Sequence, residues 1–162
     1  MKYLVLMRHA KSSWKDGVLL DHQRPLNKRG KRDALRMGRY IGEQGLFLDA
    51  LLCSTALRAR ETEEGFLQEF PFKGDVQYWD DLYHGGPEAI LSLLVNLPDE
   101  FNTVMVIGHN PDFDYFLESV CGASEHMPTA CVAYIRFPID RWVDLREGAS
   151  GELIRIWRPR EI

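Results

Sequence analysis

At 162 residues the chain is long enough to bury a real core in one domain, and 45% hydrophobic with 27% charged residues excludes a disordered or fibrous architecture. A formal net charge of -4 argues against nucleic acid as a main partner, which needs a basic face. No apolar run approaches the ~20 residues that cross a bilayer or has the make-up of a signal peptide, and three cysteines without a CxxC spacing fit a reducing compartment, so a cytoplasmic location and no membrane partner are expected.

The first predicted element is a strand over residues 3–7, a continuous apolar run of the kind covered on both faces of a parallel sheet. It breaks into Arg8-His9, then Ala10-Lys11-Ser12-Ser13-Trp14. Asn27 caps a predicted helix reaching Gln44, with Gly45 as its stop; its basic cluster over 28–39 reads as a solvated face that could serve an anionic ligand. Residues 48–53 form the second strand and 56–69 the second helix, ended by Pro71. Residues 76–79 form the third strand. A helix from Pro87 follows, with Ile90, Leu93, Leu94 and Leu97 on one face. Residues 103–107 form the fourth strand. From Pro111 a fourth helix places Phe113, Phe116, Leu117, Val120 and Cys121 at i, i+3, i+4, i+7 and i+8 before Gly122 closes it. Residues 129–137 and 152–157 are the last predicted strands.

Four strand–helix units imply right-handed crossovers. The expected fold is α/β: a mostly parallel central sheet of about six strands, helices on both faces, and a possible antiparallel edge, as one domain over 1–162. Ligands bind beyond the carboxyl ends of such strands. Those ends carry Arg8 and His9; Ser54 to Thr62, with Arg58 and Arg60; Asp80, Asp81, Tyr83, His84, Gly85 and Gly86; and Gly108, His109, Asn110 and Pro111. Two histidines, two or more arginines and nearby carboxylates therefore converge on one rim.

Arginine forks and helix N-termini suit a tetrahedral oxyanion, and a neutral imidazole among them can attack phosphorus. Charge on the equatorial oxygens of the transition state is met by fixed cations, so no metal or other cofactor is expected. No histidine pair has HxxH or HExxH spacing. The Cys-x5-Arg loop of cysteine phosphatases is missing as well: Cys53–Arg58 and Cys131–Arg136 each enclose four residues, and Cys53, Cys121 and Cys131 read as core. Arg58 rather than Arg60 is expected to face the cleft, because positions two apart on a helix are turned ~200°; Arg60 is expected to pair with a neighbouring carboxylate. His22 and His126 read as surface residues. Trp79 and Tyr83 are candidates to frame the opening, and Phe113 fits the core better.

Arg8-His9, Ser54-Thr55-Ala56-Leu57-Arg58-Ala59 and Gly108-His109-Asn110-Pro111 together resemble the histidine phosphatase superfamily, which includes phosphoglycerate mutases. The run Asp21-His22-Gln23-Arg24-Pro25-Leu26-Asn27-Lys28-Arg29-Gly30 is similar to the small SixA-type phosphohistidine phosphatases. The resemblance implies a phosphoglycerate mutase-like fold and His9 as the phosphorylated nucleophile. Arg8 and Arg58 would clamp the phosphoryl group, Arg24 would add a contact, and His109, which its anionic surroundings are expected to protonate, would complete the pocket. It implies a phosphohydrolase acting on a phosphorylated histidine-carrier protein, releasing inorganic phosphate. A small-molecule phosphomonoesterase, or a phospho-binding module without turnover, are the alternatives. The superfamily's general acid has no clear counterpart: Asp81 stands near its position, with Asp80 and Glu88 close by.

Overall fold

The computed structural model describes residues 1–162. Six strands, β1 (Lys2–Arg8), β2 (Ala50–Ser54), β3 (Val76–Trp79), β4 (Thr103–Gly108), β5 (Val132–Phe137) and β6 (Glu152–Trp157), form one sheet in the order β3-β2-β4-β1-β5-β6. The pairs β3/β2, β2/β4 and β4/β1 are parallel, whereas β5 runs antiparallel to both β1 and β6. One reversed strand is thus the whole of the antiparallel character. Four helices, α1 (Lys28–Glu43), α2 (Leu57–Glu69), α3 (Gly86–Val95) and α4 (Asp112–Cys121), cover the sheet, and none is long and apolar enough to cross a membrane.

Strand alternation divides the apolar side chains between two cores. Leu4 and Leu6 of β1 face Ile90 and Leu94 of α3 and Phe113, Phe116 and Leu117 of α4. Val5 and Met7 point the other way, into a core with Ala34, Met37 and Ile41 of α1 and Ala59 and Phe66 of α2. Burial on both sides explains why the central strands read as unbroken apolar runs. Between α1 and α2 the contact is close enough to need glycine, since a Cβ on Gly38 would stand 2.2 Å from the Phe66 carbonyl oxygen.

The predicted fifth strand is too long at its start. Ala130 adopts a left-handed φ of 62°, and its N–H is shared between the carbonyl oxygens of Arg8 and His9. A left-handed residue cannot continue a strand, so β5 begins at Val132 and the turn before it is tied to the end of β1.

Candidate active site

Register builds the centre of the site. In the parallel β1/β4 pair Arg8 stands opposite Gly108, and the His9 N–H donates to the Gly108 carbonyl oxygen at 2.9 Å. The next residue of each strand end is therefore a histidine at the same level, and the His9 and His109 rings lie 5.1 Å apart, centroid to centroid. From β2, Ser54 brings its hydroxyl to 2.8 Å from His109 Nε2. Arg58 follows in the first turn of α2 and is buried.

The chain after β1 doubles back: Ser12 bridges to Leu26, and the Ser13 N–H donates to the Pro25 carbonyl. This brings Asp21 and Arg24 over the strand ends. Arg24 donates from Nε to Asp21 Oδ1 at 3.1 Å and from Nη1 to Ser12 Oγ at 2.8 Å, and its guanidinium sits 3.4 Å from the centroid of the Trp14 ring. Arg58 reaches Asp21 as well, and the Tyr83 hydroxyl donates to Asp21 Oδ2 at 2.6 Å. Arg8 donates to the Met127 carbonyl at 3.0 Å from Nη1. The buried Nε atoms of Arg8 and Arg58 and Nδ1 of His109 have no partner within the protein. Three cations thus stand against one carboxylate around two imidazoles, an arrangement that attracts an oxyanion.

His9 is only 7% exposed, and its Nδ1 lies 2.7 Å from the Ala10 carbonyl oxygen. A carbonyl can only accept, so Nδ1 carries the proton and the Nε2 lone pair is left free. Burial pushes the His9 imidazole down to about 3; the Ala10 carbonyl opposes this, and the guanidiniums of Arg58, Arg8 and Arg24 reinforce it. His109 is pushed down to about 2, first by burial and then by His9 and Arg58. Against the expectation of a protonated His109, burial above all, with Arg58 beside it, favours the neutral ring. Asp21 is held well below the usual carboxylate range, chiefly by the Tyr83 hydroxyl and, after an opposing desolvation effect, by Arg58. It stays ionised and accepts hydrogen bonds; it is no proton donor.

His9, Arg8, Arg58, Arg24 and His109 are brought together as the sequence suggested. Asp81 is not. It lines a separate surface cavity with Gln77, Ser92 and Asn96, while its neighbour Leu82 in the 3-10 turn Asp80–Leu82 is the residue buried. Asp80 Oδ1 instead accepts from the Thr55 hydroxyl at 2.5 Å, and that hydroxyl meets His22 Nε2 at 2.9 Å. His22 is thus part of the site wall, edge-on to Tyr83, and not a free surface residue. Tyr83 and His84 frame the mouth, each within 5.5 Å of the His109 ring centroid. Phe113 is core, and His126 lies on the surface against Asp114. Arg60 is exposed and makes no ion pair, contrary to expectation. Asp21 and Ser54 are the residues whose roles went unread; the i, i+3 spacing of Asp21 and Arg24 was the available signal.

The family model described as the histidine phosphatase superfamily (branch 1) matches residues 4–84, half of the chain. An uncharacterized protein of Mycobacterium tuberculosis is 34% identical over 165 residues, covering 95% of this chain and 100% of the relative. Two solved structures provisionally named phosphohistidine phosphatase SixA superpose along nearly the whole length. That from Nakamurella multipartitia has a TM-score of 0.86 and 29% identity, covering 98% of this chain and 96% of its own. That from Agrobacterium tumefaciens has a TM-score of 0.84 and 27% identity, covering 98% of each chain. Motifs at the strand ends, the sheet order and these likenesses agree: the chain belongs to the histidine phosphatase superfamily and is of the SixA type.

Proposed function

We propose that the chain is a protein phosphohistidine phosphatase that carries the phosphoryl group transiently on His9. The observation that bears most weight is the bond from His9 Nδ1 to its neighbour's carbonyl, which leaves Nε2 as a nucleophile among three guanidiniums. In the first step Nε2 forms a bond to phosphorus as the bond from phosphorus to the substrate imidazole nitrogen breaks. The electron pair leaves with that nitrogen. In the second step water attacks phospho-His9, inorganic phosphate departs, and the Nε2 lone pair is restored.

Arg8, Arg24 and Arg58 oppose the charge on the equatorial oxygens, where fixed donors cost no reorganisation. The unpartnered Nε atoms of Arg8 and Arg58 supply further donors. His109 Nδ1 also lacks a partner, and a bound dianion favours its protonated form, so His109 becomes a donor when substrate arrives. Asp21 and Tyr83 hold Arg58 in place. Asp81 lies outside the site, Asp21 is ionised and Asp80 accepts from the Thr55 hydroxyl, so none of the three is a ready proton donor to an alkoxide. Imidazole leaves far more easily than alkoxide, and this favours phosphohistidine over a sugar phosphate. The half-exposed rim of Asp21 and His84 suits a histidine presented on a protein surface.

The test pairs a phosphorylated histidine-carrier domain with a sugar phosphate, using the wild type and His9→Ala. Rapid dephosphorylation of the carrier, slow turnover of the sugar phosphate, and loss of both activities and of phosphoenzyme labelling in His9→Ala are expected. Comparable turnover of the two substrates would remove the substrate assignment, and full activity in His9→Ala would remove the mechanism.

A further inference from the structure

Beside the catalytic rim lies a groove of about 560 Å³ with Arg29, Arg32 and Arg36 of α1 on one wall and Arg158 and Arg160, which follow β6, on the other. Apart from prolines, no apolar side chain lines it. The arginines of α1 fall at i, i+3 and i+7, one face of the helix, and span roughly 10 Å at 1.5 Å per residue. This is a strongly cationic furrow on a chain whose formal net charge is -4.

Part of that charge is answered internally. Asp33 pairs with Arg29 at 3.7 Å and with Arg36 at 3.3 Å. Arg158 pairs with Glu125 at 2.8 Å and with Glu161 at 3.9 Å. Arg36 also donates to the carbonyl oxygens of Pro159 and Ile162, tying the C-terminal segment to α1. Arg32 and Arg160 form no ion pair, and one stands on each wall.

Pro128 and Thr129 also line the groove. These two residues belong to the turn in which the Met127 carbonyl accepts from Arg8 and the Ala130 N–H binds the carbonyls of Arg8 and His9. One turn therefore both lines the groove and is hydrogen-bonded to the Arg8-His9 segment. We propose that this groove docks an acidic, extended stretch of the same phosphoprotein whose phosphohistidine enters the active site; the proposal rests on the function argued above.

Shape and chemistry favour such a segment over a compact anion. A single small oxyanion engages one or two guanidinium forks, whereas charge spread over roughly 10 Å matches about three residues of extended chain at ~3.3 Å each. With no apolar lining other than prolines, binding in the groove is driven mainly by charge. Carboxylates along a strand meet both arginine walls, and the shared turn places them next to the residue being dephosphorylated.

The test uses two synthetic phosphohistidine peptides, one flanked by glutamates and one by glutamines, and the unphosphorylated glutamate peptide as a binding probe. The enzymes are the wild type, Arg32→Glu/Arg160→Glu, the milder Arg32→Gln/Arg160→Gln, and Arg146→Glu as a charge control elsewhere on the surface. The wild type is expected to prefer the glutamate peptide in kcat/KM by about ten-fold at low salt, within the range of electrostatic steering. Both groove variants should lose that preference while hydrolysing an aryl phosphate normally; Arg146→Glu should keep it. Physiological salt should narrow the gap. Fluorescence anisotropy of the unphosphorylated probe should show binding that the groove variants weaken.

Equal kcat/KM for the two peptides in the wild type, or a preference that survives in both groove variants, would overturn the proposal. So would inorganic phosphate or pyrophosphate binding through Arg32 and Arg160 with no affinity for the glutamate probe, which would mark a small-anion site. If neither phosphopeptide is hydrolysed but the probe still binds through these arginines, the substrate reading fails and the groove assignment stands.

Discussion

Arg58 holds Asp21 at two points, donating from Nη1 to its carbonyl oxygen at 2.8 Å and from Nη2 to its carboxylate at 3.1 Å. The contact links the first turn of α2 to the returning loop, and it fixes the plane of the guanidinium. Asp21→Ala is expected to leave the protein folded and to lower kcat on a phosphohistidine substrate about ten-fold, less than the ~100-fold or greater loss typical when an oxyanion donor itself is removed. Steady-state kinetics of Asp21→Ala beside Arg58→Ala measure the difference. Equal losses would mean that Asp21 does more than position Arg58.

The low imidazole values carry a sign for stability. His9 and His109 ordinarily titrate near 6.5, and burial with their cationic neighbours brings them to about 3 and about 2. As pH falls below about 6.5 the unfolded chain takes up protons at these positions and the native chain does not, so stability declines from there toward about pH 3. Asp21, also lowered, adds to the loss at the acid end. Urea midpoints between pH 8 and 4 should fall, and His109→Asn should fall less steeply than the wild type. Parallel slopes would show that His109 gains its proton in the folded state.

His9 protonation should not limit turnover in mild acid. With the His9 imidazole held down to about 3, kcat/KM for a phosphohistidine peptide should show no fall attributable to His9 between pH 7 and 5. A fall with a midpoint near 6.5 that tracks His9 in an NMR titration would contradict this.

Asp81→Asn should change kcat/KM by less than two-fold on any substrate, because Asp81 lines the separate cavity with Ser92 and Asn96. The informative comparison is an alkyl against an aryl phosphate. A selective loss on the alkyl ester would show that Asp81 reaches the leaving group.

Gly30 lies where α1 crosses the loop after His9, and a Cβ there would stand 2.1 Å from the Lys11 carbonyl oxygen. That oxygen also accepts from the Asn27 N–H. Since backbone must move, Gly30→Ala should cost about 1–3 kcal/mol, as overpacking does, and should lower kcat by displacing the segment that follows His9. Urea denaturation and kinetics of the same preparation test both effects.

The rim of the site was legible because each of its motifs ends a strand, and parallel register does the rest: Arg8 opposite Gly108 makes the meeting of His9 and His109 unavoidable. What went unread depends on contacts without local sequence trace. Asp21 meets Arg58 37 residues away and Tyr83 62 away, and only the doubling back at Ser12 and Leu26 brings them together. In a three-residue turn Leu82 is the residue buried, while Asp81 lines a separate cavity. The charge of His109 depends on the dielectric around it, which composition does not convey. The start of β5 was misplaced because alanine carries no advertisement of a left-handed backbone, and Ala130 adopts one to reach Arg8 and His9.

The stacking of Arg24 on Trp14 provides an optical consequence. Trp14 is 71% exposed, more than Trp79 at 39% and unlike the buried Trp142 and Trp157, and its ring centroid lies 3.4 Å from the Arg24 guanidinium. An anion that draws Arg24 inward is expected to strip that cation from the indole, so that filling of the rim registers as a change in intrinsic fluorescence without a label; an unchanged spectrum on phosphate titration would count against it.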